Sequence, residues 1–189
     1  RPIIGGLLET HLKQENVAAT VNKLFPGWRS EGNHSLEADN GRIIVVWDPL
    51  LSVIIYQKTP QFILCGIFNP ITAQSFTVAF VYARNIREER LPLWNQLREL
   101  ATSSPIRRSP WLVMGDFNQV LSITEAYSLL PTTLSLNGMT DFQSCLDDCS
   151  LFDLSSRGCL FTWNNKSLTS PKARKLDRAV INEFWQDSF

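Results

Sequence analysis

Apolar residues recur every three or four positions in several stretches of the chain, and this spacing predicts amphipathic helices. Pro26-Gly27 ends the first of these helices, and the second extends from Glu88 to Ala101. The apolar positions are Val17, Ala18, Val21, Leu24 and Phe25 in the first stretch; Leu91, Trp94, Leu97 and Ala101 in the second; and Phe142, Cys145, Leu146 and Cys149 in the third.

Runs of β-branched and aromatic residues between these stretches predict strands. Ile43 to Trp47 and Val53 to Tyr56 flank Asp48-Pro49, and this arrangement predicts a hairpin. Several strands follow one another without a helix between them, which favours a two-sheet α/β sandwich with outer helices over a doubly wound parallel sheet. The other predicted strands are Phe62 to Phe68, Phe76 to Ala83, Trp111 to Met114, Cys159 to Trp163 and Lys175 to Ile181.

The composition is that of a soluble globular protein, because 44% of the residues are hydrophobic and 19% are charged. With 189 residues and no internal repeat, we expect one domain over residues 1–189. Eighteen basic residues balance eighteen acidic residues, so no bulk positive field indicates a nucleic-acid partner. No apolar stretch approaches the roughly 18–20 residues that cross a bilayer, and we expect no membrane association.

The cysteines and histidines do not form a zinc motif, since no pair of cysteines has CxxC spacing and both histidines are distant from them in sequence. We expect reduced, largely buried thiols. The residues are Cys65, Cys145, Cys149 and Cys159, with His11 and His34.

The apolar run Trp111-Leu112-Val113-Met114 leads directly into Gly115-Asp116-Phe117-Asn118. The run predicts a strand buried on both faces, and Gly115 allows the backbone to turn or a ligand to approach closely. Asp116 and Asn118 are two residues apart, so in extended geometry their side chains share one side. A carboxylate and a carboxamide can hold a hard cation, a water or a phosphate oxygen. A turn with side-chain caps is the competing interpretation.

Four segments resemble, in order, the motifs of the endonuclease/exonuclease/phosphatase superfamily. Leu8-Glu9-Thr10 resembles the Q-E-T or E-T-K element, and Tyr82-Ala83-Arg84-Asn85 resembles Y-x-x-N. Gly115-Asp116-Phe117-Asn118 resembles G-D-[FLW]-N, and Leu176-Asp177-Arg178 resembles [RI]-x-L-D-[YRW]. Four ordered motifs are far more specific than any one of them.

Further segments are similar to endonuclease domains of plant LINE-type (non-LTR) retrotransposons. Residues 158–165 resemble G-x-x-F-T-W-x-N, and residues 176–185 resemble L-D-R-x-x-x-N-x-x-W. Arg90-Leu91-Pro92-Leu93-Trp94 matches an R-x-x-L-W opening of the long helix. The resemblance covers nearly the whole chain.

This resemblance implies a deoxyribonuclease-like, four-layer fold and metal-dependent nicking of DNA for retrotransposition. It implies Mg²⁺ or Mn²⁺ as the cofactor, DNA as the partner, an intracellular and nuclear location, and a reverse transcriptase region in the parent polypeptide. The implied site residues are Glu9 as metal ligand; Asp116, Asn118, Tyr82 and Asp177 as catalytic residues; and Asn85 and Asn118 as phosphate ligands.

The chain departs from the family pattern at both ends. The superfamily opens with a strand carrying an Asn, as in W-N-x-R-G, and closes with an S-D-H element that supplies a catalytic His. Neither motif occurs here, and His11 and His34 cannot replace that His by spacing. We therefore expect a domain truncated at both ends, with little or no activity from residues 1–189 alone. The alternative is a catalytically inactive remnant, at most a nucleic-acid-binding module.

The implied site residues also have simpler interpretations. Glu9 could belong to the solvated start of a helix, and Tyr82 could be a surface aromatic on a strand. Asp177 could be an ion-pair partner of Lys175 or Arg178.

Residues outside the four motifs leave alternatives open as well. Trp163 could stack on a base or ribose, although we expect a core aromatic. Asn137 could line the site, and a basic cluster could follow a nucleic-acid backbone or form a solvated strand. This cluster consists of Lys172, Arg174, Lys175 and Arg178.

Overall fold

The computed structural model describes residues 3–34 and 40–189. Short 3₁₀ turns occur at Ile106–Arg108 and Ile123–Glu125. In chain order the elements are β1 (Ile4–Lys13), α1 (Gln14–Leu24), β2 (Arg29–Gly32), β3 (Asn40–Trp47), β4 (Ser52–Lys58), β5 (Phe62–Asn69), β6 (Gln74–Tyr82), α2 (Arg87–Thr102), β7 (Trp111–Asp116), β8 (Ala126–Ser128), α3 (Leu136–Asp148), β9 (Phe152–Asp153), β10 (Trp163–Asn164), β11 (Lys172–Arg174), β12 (Asp177–Ile181) and α4 (Glu183–Ser188).

The helices and the two larger sheets form four layers in the described part of the chain. The large sheet has the strand order β4-β5-β6-β7-β12-β9, and one of its faces packs against α2 and α3. Its other face packs against a second sheet, β1-β3-β2, whose far face is covered by α1. A small third sheet has the order β10-β11-β8. The predicted two-sheet sandwich with outer helices, of the deoxyribonuclease-like type, is confirmed.

The central strands are apolar on both faces because both faces are covered. In β6, Ala79 and Val81 face the helices, whereas Val78 and Phe80 face the second sheet. The helix layer is anchored by Phe142, whose ring stacks on Trp94 at 4.7 Å between centroids. The predicted helices correspond to α1, α2 and α3, and three of the predicted strands correspond to β5, β6 and β7.

The predicted hairpin around Asp48-Pro49 is wrong, although both of its strands exist. β3 pairs with β1 and β2 in the second sheet, whereas β4 pairs with β5 in the large sheet. The two strands differ in burial: residues 43–47 are buried throughout, whereas Ile54 and Tyr56 of β4 are exposed. The turn therefore takes the chain from the second sheet to the large sheet. Long-range packing decides which sheet each strand joins, and the local turn residues do not determine it.

The predicted strand from Cys159 to Trp163 is also largely wrong. Only Trp163 and Asn164 form a short strand, and the strand predicted to begin at Lys175 begins at Asp177. Cys159 is exposed, whereas Cys65, Cys145 and Cys149 are buried free thiols, as expected for most of the cysteines. None of the helices in the described part of the chain is long and apolar enough to span a bilayer.

Gly115 allows β6 and β7 to pair in parallel next to the site. It lies opposite Val81 in the register and has a φ of 141°, in the region that L side chains rarely adopt. A Cβ at this position would lie 2.0 Å from the carbonyl oxygen of Val81. The strand can therefore place the next residue, Asp116, opposite Tyr82 without strain only when residue 115 is glycine.

We predict that Gly115→Ala lowers the free energy of unfolding by roughly 2–4 kcal/mol, because it combines backbone strain with a clash against main chain. Urea denaturation measures this loss. The control is Gly5→Ala in β1, where an added Cβ meets nothing within 4 Å and a change within about 1 kcal/mol is expected. Equal effects of the two substitutions would contradict the assignment.

Candidate active site

Three neighbouring strands of the large sheet place Tyr82, Asp116 and Asp177 side by side. Tyr82 at the end of β6 lies opposite Asp116 at the end of β7, and Asp116 lies opposite Asp177 at the start of β12. Directly opposed residues in a sheet point to the same face. Tyr82 packs in the cluster between the two sheets, so this row faces the second sheet.

Glu9 reaches this row from the second sheet. The pairing of β1 with β3 is irregular between Leu8 and Leu12, and Glu9 and His11 have left-handed φ values of 53° and 48°. A bulge of this kind re-aims a side chain. The hydroxyl of Tyr82 donates a hydrogen bond to Oε1 of Glu9 at 3.0 Å. The interpretation of Glu9 as a helix start is wrong, because α1 begins at Gln14.

Asn118 lies in a tight turn rather than in extended backbone, so the expected extended geometry is wrong. Its φ is 48°, and its backbone N–H donates to Oδ1 of Asp116 at 2.8 Å. Its side-chain nitrogen donates to the carbonyl of Ala83 at 2.7 Å. This contact fixes the amide orientation, leaving the side-chain oxygen and one N–H for a ligand. Asn118 therefore lies in a capped turn, the competing interpretation, and its side chain is also placed to contact a ligand.

A polar pocket of about 270 Å³ collects the candidate residues. Five of the predicted site residues line it: Glu9, Tyr82, Asn85, Asp116 and Asn118. Trp163, Arg174 and Leu176 complete the lining. Trp163 has 41% of its surface exposed, so the expectation of a core aromatic is wrong. Asn137 is an exposed residue at the start of α3 and does not line this pocket.

Asp177 lies beside the pocket as an exposed carboxylate and is not one of its lining residues. The ion-pair interpretation of Asp177 is not supported. The side chain of Arg178 is fully buried and pairs with Glu125 and Asp153. Lys175 pairs with Asp153 at 2.9 Å. Among the described residues, Asp177 has no ion-pair partner, and its charge acts on Asp116.

The carboxyl of Asp116 has the most perturbed acidity in the pocket. Burial, together with the nearby charges of Asp177 and Glu9, raises its pKa from the ordinary 3.8 to about 6, against the hydrogen bond from Asn118 and the charge of Arg90. Such perturbation is typical of functional carboxylates. The pKa of Tyr82 is also raised, by burial and then by its hydrogen bond to Glu9, so its phenol keeps the proton that it donates.

Arg90 joins the two loops that carry the site, a role that the sequence motifs did not assign to it. Its Nη1 donates to the carbonyls of Arg84, Asn85 and Asn118 at 2.8–2.9 Å, and its Nη2 donates to Oε1 of Gln119 at 2.8 Å. Only 4% of the residue is exposed. In the sequence, the R-x-x-L-W segment singled out Arg90 without giving it a role. Its role follows from its burial, because a buried arginine needs several acceptors.

Arg42 is a second residue that the motifs missed. It lies in β3, with Nη1 3.5 Å from the hydroxyl of Tyr82 and the guanidinium 5.6 Å from the centroid of its ring. No local pattern around Arg42 indicates this contact, because it arises from the packing of the second sheet against the large sheet.

The oxygen-rich composition of the pocket fits a small hard cation. Carboxylate, carboxamide and water oxygens are the ligands that Mg²⁺ and Mn²⁺ prefer. No group of three or more His, Cys, Asp or Glu side chains with the geometry of a metal cluster occurs within residues 3–34 and 40–189. Mg²⁺ commonly binds through one or two carboxylates and keeps several waters.

A family model described as the endonuclease/exonuclease/phosphatase family matches residues 1–187. The chain therefore belongs to this family. A search of curated protein sequences gave no match.

Solved structures of two endonucleases and of a bacterial toxin share the fold. The endonuclease domain of TRAS1, a telomere-specific non-LTR retrotransposon, is similar with a TM-score of 0.66 and 15% identity over 98% of this chain and 88% of that one. The AP endonuclease LMAP from Leishmania major has a TM-score of 0.72 and 11% identity over 97% and 70% of the two chains. Beta toxin from Staphylococcus aureus has a TM-score of 0.65 and 12% identity over 97% and 73%.

We predict that Asp116→Asn stabilises the protein near pH 7.5 by roughly 1–2 kcal/mol, after allowance for the partial exposure of the carboxyl. The folded state retains a proton that the unfolded chain releases between pH 3.8 and about 6, so stability falls as pH rises through this interval. Asp116→Asn removes this loss of stability, and the side-chain oxygen of the new residue can still accept the hydrogen bond from the backbone N–H of Asn118. Urea denaturation in EDTA measures the effect.

The gain from Asp116→Asn should disappear below about pH 3, where the wild-type carboxyl is protonated in both the folded and the unfolded state. Asp187→Asn, at an exposed position in α4, is the control and should change stability little at either pH. Destabilisation of the Asp116 variant at neutral pH would contradict the electrostatic account.

We predict that Arg90→Met lowers the free energy of unfolding by roughly 2–4 kcal/mol, because it removes the donor from one buried and three partly buried acceptors. The control is Arg98→Met, since Arg98 makes an exposed ion pair with Asp148 at 2.7 Å. Loss of an exposed pair costs up to about 1 kcal/mol. If the two variants unfold at the same urea concentration, the joining role of Arg90 is wrong.

Proposed function

We propose that the chain, acting as one domain over residues 1–189, hydrolyses phosphodiester bonds of DNA with Mg²⁺ or Mn²⁺. The observation that carries the proposal is the convergence of Glu9, Tyr82, Asn85, Asp116 and Asn118, from distant segments, around one polar pocket. Membership of the endonuclease/exonuclease/phosphatase family supports hydrolysis of a phosphodiester or phosphate ester.

The proposed biological role is to nick target DNA for a non-LTR retroelement of the plant LINE type. The similarity to the TRAS1 endonuclease domain supports the retroelement origin, and the Phe161-Thr162-Trp163 and Leu176-Asp177-Arg178 segments support the plant branch. This origin would place the protein in the nucleus and add a reverse transcriptase region to the parent polypeptide.

Glu9 is the proposed metal ligand, with Asp116 and the side-chain oxygen of Asn118 within the same pocket. A bound divalent cation would supply Lewis-acid polarisation of the phosphodiester. The surplus negative charge of the pocket supports this assignment, since Glu9 and Asp177 both raise the pKa of Asp116.

Asp116 is proposed to orient the attacking water and to accept its proton. A carboxyl with a pKa of about 6 is ionised at neutral pH yet is more basic than an ordinary aspartate, which suits a general base. Asn118 is held by its contacts to Asp116 and Ala83, so its free oxygen and N–H can fix the water or a phosphate oxygen. Asp177 is proposed to support this arrangement through its charge.

Tyr82 and Asn85 are proposed to contact the scissile phosphate. The single phenolic proton of Tyr82 is directed to Glu9 at 3.0 Å, so in this arrangement Tyr82 orients the carboxylate. Contact with the phosphate requires exchange of that hydrogen bond. Asn85 lines the same pocket, and its backbone is held by Arg90.

The alternative function is that of a catalytically inactive remnant which at most binds nucleic acid. One observation favours it: neither His11 nor His34 is among the residues that line the pocket. His34 is buried and contacts the carbonyl of Leu12 instead.

We predict little nicking of supercoiled plasmid by residues 1–189 in Mg²⁺ or Mn²⁺, because the catalytic His motif is missing, and we expect EDTA to abolish this slow reaction. Asp116→Ala should lower the rate by roughly 10²–10⁴-fold, the usual contribution of general acid–base catalysis. Gel quantification of open-circular product over time measures both rates. Asp187→Ala is the control and should retain the wild-type rate.

Nicking that persists in the Asp116 variant would refute the proposed site. A wild-type chain that folds but does not nick would favour the inactive remnant.

A further inference from the structure

One face of the small sheet β10-β11-β8 carries an aromatic residue and two cations in a row. Trp163 lies opposite Arg174 in the register, and Arg174 lies opposite Ala126. Lys172 is two residues from Arg174 in the same strand, so its side chain is on the same face. We call Trp163, Arg174 and Lys172 the basic strip.

The basic strip connects the catalytic pocket to a second pocket. Trp163 and Arg174 line the catalytic pocket, whereas Arg174 and Lys172 line a neighbouring pocket of about 310 Å³. Leu129 and Leu130 form an apolar wall of this second pocket and are 58% and 53% exposed. Arg174 therefore lies where the two pockets meet.

The two cations of the strip lack the acidic partners that neighbouring cations have. Lys175 and Arg178 are both paired with Glu125 and Asp153. Within residues 3–34 and 40–189, neither Lys172 nor Arg174 takes part in an ion pair. Within the basic cluster, Lys175 and Arg178 are thus held in ion pairs, whereas the charges of Lys172 and Arg174 are available to a ligand.

The chemistry of the strip fits a nucleic-acid strand. Two residues of a β-strand are separated by about 6.7 Å, a spacing similar to that of successive phosphates along one strand. An exposed indole can stack on a base or sugar, and an apolar wall can take the face of another nucleotide. Because the chain has no net charge and its catalytic pocket is acidic, attraction to DNA has to come from a local positive surface.

We propose that the basic strip binds the DNA strand that extends from the catalytic pocket, with Arg174 and Lys172 contacting successive phosphates and the next nucleotide occupying the second pocket. This inference rests on the proposed function, because it takes the scissile phosphate to lie in the catalytic pocket.

The test is the salt dependence of DNA binding by the full chain, with fluorescence anisotropy of a fluorescein-labelled DNA duplex in EDTA. Each phosphate contact contributes a slope of about −0.9 to the logarithm of affinity against the logarithm of salt concentration. The double variant Lys172→Gln/Arg174→Gln should lose about two such contacts, which reduces the slope by roughly 1.8 between about 50 and 200 mM KCl.

The matched control is Arg107→Gln/Arg108→Gln, which removes the same charge from an exposed turn that precedes β7, at the opposite end of the strand from Asp116. This control should retain the wild-type slope. A slope that is unchanged in the Lys172/Arg174 variant, an equal loss in both double variants, or a wild-type chain that does not bind the duplex would overturn the proposal.

Failure of the strip and failure of the proposed catalysis are distinguishable. Binding is measured without divalent cation, so a chain that never nicks plasmid can still give the predicted slope change. Conversely, a chain whose nicking depends on Asp116 but whose salt slope is insensitive to Lys172 and Arg174 keeps the proposed function and loses the strip.

Discussion

The hydrogen bond from Tyr82 to Glu9 joins the two sheets of the sandwich at the mouth of the candidate site. Tyr82 belongs to the row that β6, β7 and β12 form in register, and Glu9 belongs to a bulge in the facing sheet. Burial of the apolar cluster between the sheets holds these two surfaces together. Without that packing, Tyr82 and Glu9, which are 73 positions apart in the chain, would not be brought into contact.

Convergence has an electrostatic cost that itself indicates function. Burial and the charges of Asp177 and Glu9 raise the pKa of Asp116, and a fold selected for stability alone would avoid this arrangement. Polar contacts around the pocket hold the site in place. Arg90 joins the loops after β6 and β7, and Asn118, in the second of these loops, bonds to Ala83 after β6 and to Asp116 at the end of β7. In the proposed function, the acidic residues of the pocket would hold the metal ion, and the unpaired cations of the adjoining basic strip would attract DNA.

Much of the fold followed from local pattern, because amphipathic helices and buried strands carry their periodicity in the sequence. The candidate site residues Glu9, Tyr82, Asp116 and Asp177 could be recognised through motifs that place a polar residue on a strand. Tyr82, Asp116 and Asp177 lie at strand ends, and Glu9 lies in a bulge within β1. Sequence could not show that β3 and β4 enter different sheets, because their turn is compatible with either choice. The contacts of Arg42 and Arg90 likewise join distant segments, so the sequence around each residue does not specify its partners.

The proposed site requires that the carboxylate of Glu9 lie close enough to Asp116 to alter its ionisation. The most direct measurement is an NMR titration of the Asp116 side-chain carboxyl in the wild-type chain and in Glu9→Gln, without divalent cation. We expect a pKa of about 6 in the wild type and a lower value in the variant, because the neutral amide removes one of the charges that raise the pKa. The same pKa in both proteins would contradict the convergence on which the proposed site depends.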